Sequence, residues 1–573
     1  MSESLIAARK ADEDARKSID DDIVIHSAAI MKLKDRRNAL AAINRIPPEL
    51  LSEIFRICRA VPDWRSAGDR YSHQRGFCGW ITITWVCRHW REVALGTHRL
   101  WSQLDLDVPS FVEECLLPRS HESPWHLTAL HWGTRQDGLF RSLFLNFDTI
   151  RHIDFTFGRL DQPFGLVPIP SRSSNLESLQ IGTDGIGTHK CSLSLFKQCN
   201  FPRIQSLQLT NWLDIPPSLF GSTLTTLALR ASIYETDMAP SSIDFSEFLK
   251  SLSKLMLLEH LSIENIAFSG ISRRTATTIT LPKLKFLLFH SPSPEYINYV
   301  DVLKRLKLPP RVHCYLICSY HSELQEIPKI LTDIRVYFSP MRFKSLGVLV
   351  ENGWFAIQGW LDDPGPLFDE SRPKPSLHLG FPPYVSKLRY VWEEFLETIH
   401  IRDLKSLLLG SPTDMDMFGD PETTCIRFLT KCHNLETLTI YGNSAEIAIS
   451  ALNDLAEWSP EDGPDVVPIM PKLTTLVLSN VIWRTREECD ALEQGPCMFD
   501  GQFVRALQIG LSGRGIIGYP VNTVLIQECV AMDDQDVALL EEDVLNVEWD
   551  EHFEYHPSYY ETESDSDSYA SNP

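Results

Sequence analysis

The chain has 573 residues, 43% hydrophobic and 23% charged, which is enough to bury a large core. No apolar run approaches the ~20 residues of a membrane helix, and the opening MSESLIAARKADEDARKSIDDD is charged where a signal peptide would be apolar. The formal net charge is −22, but the segment Ala531–Pro573 carries 14 acidic residues and no Lys or Arg, which leaves the remainder at −8 and without the basic stripe of a nucleic-acid binder.

These features point to an intracellular protein, cytoplasmic and/or nuclear, with neither nucleic acid nor membrane as partner. The 13 cysteines are scattered without paired spacing and read as reduced, mostly buried thiols. Length alone suggests three or four domains, unless one of them is an elongated array.

Residues 1–43 read as one long helix. Ile19, Ile23, His26, Ile30, Leu33, Arg37 and Leu40 alternate steps of four and three, the spacing of a short coiled coil. The other reading is an amphipathic helix folded back on its own domain.

Next comes NRIPPELLSEIF, Asn44–Phe55. Proline costs nothing in a first helical turn, Glu49 suits the positive end of the helix dipole, and Asn44 is a candidate cap. Leu51, Ile54, Phe55 and Cys58 recur at helical spacing, while Leu50 and Ile57 widen the apolar stripe beyond one face. A polar stretch, RAVPDWRSAGDRYSHQRG, is followed by FCGWITITWVCRHWREVALGTHRLWSQLDL. There the spacing predicts a helix with Val86, Trp90 and Val93 or Ala94 on one face, Gly96 at its end, and Leu100-Trp101 anchoring the next segment.

A Pro-Pro-Glu-Leu helix, then Val-Cys-Arg-x-Trp-Arg, then Leu-Trp before alternating Leu and Asp, resembles the F-box-like domain of mushroom-forming fungi over Asn44–Leu106. The resemblance implies a small helical hook at 44–107 that binds a Skp-type adaptor and, through it, a cullin. It implies that Pro47, Pro48, Leu50, Leu51, Ile54 and Phe55 meet the adaptor, with Trp90 supporting them from behind. One side of the helix then packs on its own domain and the other on the partner protein.

From 108 to 530 the pattern L-x-x-L-x-L recurs nine times, starting at Ile150, Leu176, Ile204, Leu224, Leu258, Leu284, Leu404, Leu435 and Leu473. Several intervals fall in or near the leucine-rich-repeat range of roughly 20–29 residues. Each hexad reads as a strand whose leucines point inward and need neighbouring units to cover them. Segments such as SSIDFSEFLKSLSKLMLLE have helical spacing for the opposite side. An α/β domain with several Leu-rich strands is the alternative. Between 291 and 403 the hexads stop, although HCYLICSY, FKSLGVLV and SLHLGF still read as strands; an insertion, divergent repeats or a bend all fit. The asparagine typical of such repeats is sought eight residues after a hexad start and falls in register only at Asn443.

The expected fold is therefore α+β or α/β: a small all-α F-box-like domain, an irregular leucine-rich-repeat-like solenoid, and an acidic disordered tail at 531–573. Outward strand residues Glu177, Gln180, Gln205, Gln208, His260, Glu436 and Thr439 are the candidates for target contact.

Motifs for bond chemistry are lacking. There is no phosphate-cradling Gly loop, no Gly-x-Ser-x-Gly and no His-Glu-x-x-His. DMDMFGD at Asp414–Asp420 fails as a calcium loop, with Phe418 at a ligand position and Cys425 at the twelfth place. Cys78, Cys87, His73 and His89 lack the close cysteine pair of a zinc site, and Cys314 and Cys318 read as strand core. The reading is a non-enzymatic substrate receptor of a Skp–cullin–F-box ubiquitin ligase, without cofactor or metal. A scaffold outside ubiquitin transfer and an enzyme hidden in 291–403 are the alternatives. Ser564, Ser566 and Ser568 in the tail fit an acidophilic kinase or a plain solvated segment.

Overall fold

The computed structural model describes residues 3–60 and, with interruptions, 79–157, 175–318, 341–411, 426–483 and 502–550. The residues 61–78, Asp414–Asp420, Asn443 and 551–573, and with them the calcium-loop reading, Cys78 and the tail serines, lie outside this set. The architecture is mixed α/β, with a long N-terminal helix and mostly parallel strands, and divides at Gly221 into two units.

In the first unit, α1 (Glu3–Ala39) is one continuous helix. It does not fold back on its own domain. Its described side chains are exposed from Arg9 onward apart from Asp35 and Asn38, which are half-buried near its end. The chain turns through Ala42–Arg45 into α2 (Pro48–Ala60), and α3 spans Arg88–Gly96. Asn44 does not cap α2. It sits in the preceding turn, its Oδ1 accepting from Trp90 Nε1 at 2.6 Å and its Nδ2 donating to the Asn38 carbonyl at 2.7 Å. Val86 likewise leaves the predicted face. Extended backbone at Cys87 (φ −159°, ψ 172°) separates the turn Ile83–Val86 from α3, and Val86 is exposed.

Five parallel strands come next, each beside the last: β1 (Gln103–Asp105), β2 (Trp125–Trp132), β3 (Ile150–Phe157), β4 (Ser178–Thr183) and β5 (Ser206–Thr210). Leu100 and Trp101 do anchor the transition. Both are buried, and Trp101 Nε1 donates to the Ala94 carbonyl at 2.7 Å.

Among the described residues the second unit carries twelve main strands beside four short ones. In chain order β6 is Thr226–Arg230, β7 His260–Glu264, β8 Phe286–Ser291 and β9 His313–Cys318. Then come β10 (Ser345–Glu351), β11 (Trp354–Trp360) and β12 (Leu377–Phe381). The last are β13 (Ser406–Ser411), β14 (Thr437–Gly442), β15 (Thr475–Ser479), β16 (Thr523–Gln527) and β17 (Asn546–Trp549).

All nine hexads lead into parallel strands, and the reason is visible in their burial. The opening residue of the hexad plugs the core just before the strand, and the fourth and sixth point into it. At Leu258, Leu261 and Ile263 exposure is 0%, 0% and 3%. Register lines these positions into columns: Leu227, Leu261, Leu287, Cys314 and Leu377 form one, and Leu229, Ile263, Phe289, Leu316 and Leu379 the next. Burying each such side chain contributes roughly 1.5–3 kcal/mol, and no strand could cover its own.

The chain leaves each of several strands through a left-handed residue seven places after the hexad start, not eight. Asn211, Asn265, Gly442 and Asn480 have φ of 55°, 60°, 62° and 52°, a region that Gly and Asn enter at least cost. A tenth hexad, opening at Val521 and ending in Glu528 (φ 51°), completes the set.

Residues 291–403 hold an inversion. In space the order runs β9, β12, β11, β10, β13: β10 is parallel to β13, β12 is parallel to β9, and β11 is antiparallel to both its neighbours. The strands read in HCYLICSY, FKSLGVLV and SLHLGF are β9, β10 and β12.

The acidic C-terminal segment is folded over 532–550 rather than disordered. The helix α4 (Asp534–Glu541) is closed by a capping box, in which Asp533 Oδ1 accepts from Asp536 N at 3.1 Å and Asp536 Oδ2 from Asp533 N at 3.0 Å, and β17 pairs with β16. Acidic residues at a helix N-terminus are favourable there, so their density is no sign of disorder.

Candidate functional site

The helices of 44–101 are held by aromatic and cationic contacts. Phe55 packs on Trp90 with centroids 5.2 Å apart, and Trp80 meets Trp101 edge-on at 5.1 Å. The Arg59 guanidinium lies 4.6 Å from the Trp80 ring and donates from Nη2 to the Gln103 carbonyl at 2.6 Å, tying α2 to β1.

This packing divides the apolar residues of α2. Leu51 and Phe55, expected at the adaptor, are both 0% exposed, because i and i+4 place them together against α3. They are core residues and cannot touch a partner. Leu50 and Ile57 lie at 59% and 52% exposure with the half-buried Ile54 between them, an i, i+4, i+7 stripe turned to solvent. Pro47 and Pro48 are exposed at its start, and Trp90 is half-buried and packs on Phe55. Glu53 and Arg56 border the stripe as a surface pair, with Nε to Oε2 at 2.9 Å. Of the 21 exposed large apolar side chains among the described residues, 14 precede residue 96, so uncovered oil is concentrated at this end.

The outward face of the first unit's strands is polar. One row runs Gln103, His126, His152, Ser178 and Ser206, and the next Asp105, Thr128, Asp154, Gln180 and Gln208. The candidates Gln180 and Gln208 therefore stand on adjacent strands in one row, and Gln205 is exposed just before β5. Burial, then His152 at 5.2 Å and Arg59, push His126 down to about 4. Burial pushes the Asp105 carboxyl up to about 6 against a hydrogen bond from Asp107 N at 3.0 Å.

The two shifts act in opposite senses. Stability due to neutral His126 is lost as pH falls from its ordinary 6.5 toward 4, whereas the cost of ionising Asp105 grows as pH rises from 3.8 toward 6. Asp105→Asn keeps the acceptor and removes that cost. We expect the variant to be about 1–2 kcal/mol more stable at pH 7.5, with the gain gone at pH 4. Thermal melts across this range check it, and an equal gain at both ends excludes charge burial as the cause.

Glu177 and Glu436 are less available to a target than expected. Second positions of successive hexads form cross-strand ion pairs: Arg151 with Glu177 at 2.6 Å, Lys285 with Glu259 at 2.6 Å and Lys405 with Glu436 at 2.8 Å. Thr439 is 1% exposed and drops out. Its register neighbours on that face, Leu408 and Val477, are buried as well, so the strands are covered on both sides there.

His260 belongs to a feature that was not foreseen. His260, Phe286, Tyr315 and His378 form a ring ladder across β7, β8, β9 and β12, with centroid separations of 6.2, 5.1 and 5.2 Å, the last pair stacked. His260 is exposed and the other three half-buried. The signal was present in LKFLLF, where the third hexad position, which faces outward, is Phe286. Beside the ladder, Glu264 Oε1 accepts from Arg230 Nε at 2.8 Å and Ser262 Oγ at 2.7 Å.

Among the described residues no helix is long and apolar enough to cross a membrane, and no three His, Cys, Asp or Glu side chains group as metal ligands. Burial pushes the Cys314 thiol up to about 12, far from the thiolate a nucleophile needs. No known family model matches the chain, and no curated protein matches it significantly in sequence.

Proposed function

We propose that this protein is a non-enzymatic receptor that joins a target protein to a Skp-type adaptor and, through it, to a cullin ubiquitin ligase. In this reading 44–107 is an F-box-like hook and the hexad strands belong to an irregular leucine-rich solenoid. The adaptor covers Leu50, Ile54 and Ile57, and a target docks on the outward strand faces. The protein breaks no bond itself. It holds the target's lysines near a ubiquitin-conjugating enzyme at high effective concentration.

The observation that carries the reading is the division of α2. A helix whose inner pair is fully enclosed by Trp90 and its neighbours still leaves a second apolar stripe uncovered. For the target, the aromatic ladder is the strongest candidate, since rigid rings supply much contact area with little entropy to lose.

Affinity purification from native cells tests this. The reading expects Skp-type adaptor, cullin and ubiquitylated proteins together; adaptor without the other two identifies a scaffold outside ubiquitin transfer. Phe286→Ala with Tyr315→Ala is expected to lose the target, at least about tenfold in recovered protein, while retaining the adaptor. Unchanged recovery of every non-ligase protein removes the ladder from the binding surface.

A further inference from the structure

The row of apolar residues on α1 is uncovered among the described residues. Ile19, Ile23, Ile30 and Leu33 are 58%, 56%, 53% and 63% exposed. The helix is attached to its own unit from the opposite side. Asp35, which pairs with Arg88 at 3.8 Å, and Asn38, whose carbonyl accepts from Asn44, are its half-buried positions. At ~100° per residue Asp35 lies about 160° and Asn38 about 100° around the helix from the middle of the row. The row therefore faces away from the helices of 44–101.

Charge along α1 is divided. Residues 12–22 hold six Asp or Glu against two basic residues, and residues 32–37 hold four Lys or Arg against one acid. A parallel pair of such helices sets acid on acid and base on base. An antiparallel pair sets each block on its opposite.

We propose that α1 binds a second copy of itself as an antiparallel two-helix coiled coil centred on Ala28. In heptad terms Ile19, His26 and Leu33 are d positions and Ile23, Ile30 and Arg37 are a positions. Antiparallel packing about Ala28 layers Ile23 on the partner's Leu33 and His26 on the partner's Ile30. The flanking positions then match Asp20 with the partner's Lys34 and Asp22 with the partner's Arg36, each pair occurring twice by symmetry. This association does not depend on the adaptor reading; joined to that reading, it would give a receptor with two hooks.

Light scattering on the full chain after size exclusion is expected to give twice the 65.4 kDa chain mass. Ile23→Asp with Leu33→Asp returns it to one chain mass. Both side chains are exposed, so circular dichroism should show the helix retained. Orientation is read from charge: Asp20→Lys with Asp22→Lys weakens self-association roughly tenfold or more, and adding Lys34→Asp and Arg36→Asp to the same chain restores it. A monomer at every concentration overturns the proposal, as does a dimer indifferent to both charge sets.

Discussion

Replacing Leu50 and Ile57 together with aspartate is expected to abolish recovery of the adaptor while the rest of the chain stays folded. Both side chains already stand in water, so the substitution costs the free protein little. In the complex each would give up roughly 1.5–3 kcal/mol of apolar burial and place an unpaired charge in the interface. A combined loss near ~5 kcal/mol corresponds to several thousandfold in affinity, enough to empty a pull-down. The matched control is Leu51→Ala, one residue away and fully enclosed. It should cost about 2–5 kcal/mol of stability, so any loss of adaptor comes with a lowered melting temperature. Adaptor recovered undiminished with the Leu50 and Ile57 double variant would sink the receptor reading.

Arg514→Met should be the most damaging exchange of a single charged residue in the second unit. Arg514 lies in the helix Gln502–Ile516, 0% exposed, and donates from Nη1 to the Ile469 carbonyl and from Nη2 to the Met470 carbonyl, both at 2.8 Å. Met470 is itself buried with φ 52°, a costly backbone for this residue type, which the guanidinium holds in place. Burial lowers the arginine to about 10, so it stays charged at neutral pH. Methionine recovers the cost of burying that charge and keeps most of the volume, but the Ile469 carbonyl loses the guanidinium bond and the Met470 carbonyl is left with only the Leu473 amide at 3.1 Å, at about 1–3 kcal/mol for each lost bond. We expect a net loss near ~3 kcal/mol. Urea denaturation of the full chain measures it, and a change below ~1 kcal/mol would mean that the two carbonyls find other donors.

Much of the body was legible because the hexad states its own geometry. Three leucines at one, four and six cannot all face a core unless the segment is extended and its neighbours lie beside it. Val521 was missed since valine replaced the opening leucine, although the register is intact. The turn asparagine was misplaced by one because a single coincidence at Asn443 outweighed Asn211, Asn265 and Asn480, which share a position that only the left-handed backbone explains. Thr439 failed for another reason. Facing outward from a strand is a local property, but exposure depends on what the rest of the chain lays over that face. The same limit applied to α2, where periodicity marks Leu50 and Leu51 alike and only Phe55 and Trp90 decide which of them is covered.

The inverted order at β9–β13 has a consequence for how the second unit assembles. Stacked units grow by accretion, each new strand adding to the edge just made. In the solenoid reading proposed above such growth halts at β9, because the strand that pairs with it is β12, from Leu377, and not β10. The antiparallel links β10–β11 and β11–β12 are shorter-range, whereas sealing β12 onto β9 draws together residues more than sixty positions apart. Two blocks are therefore expected to form independently, with pairing across the Cys314–Leu377 seam expected to be the slower step, which refolding kinetics of a seam variant would check.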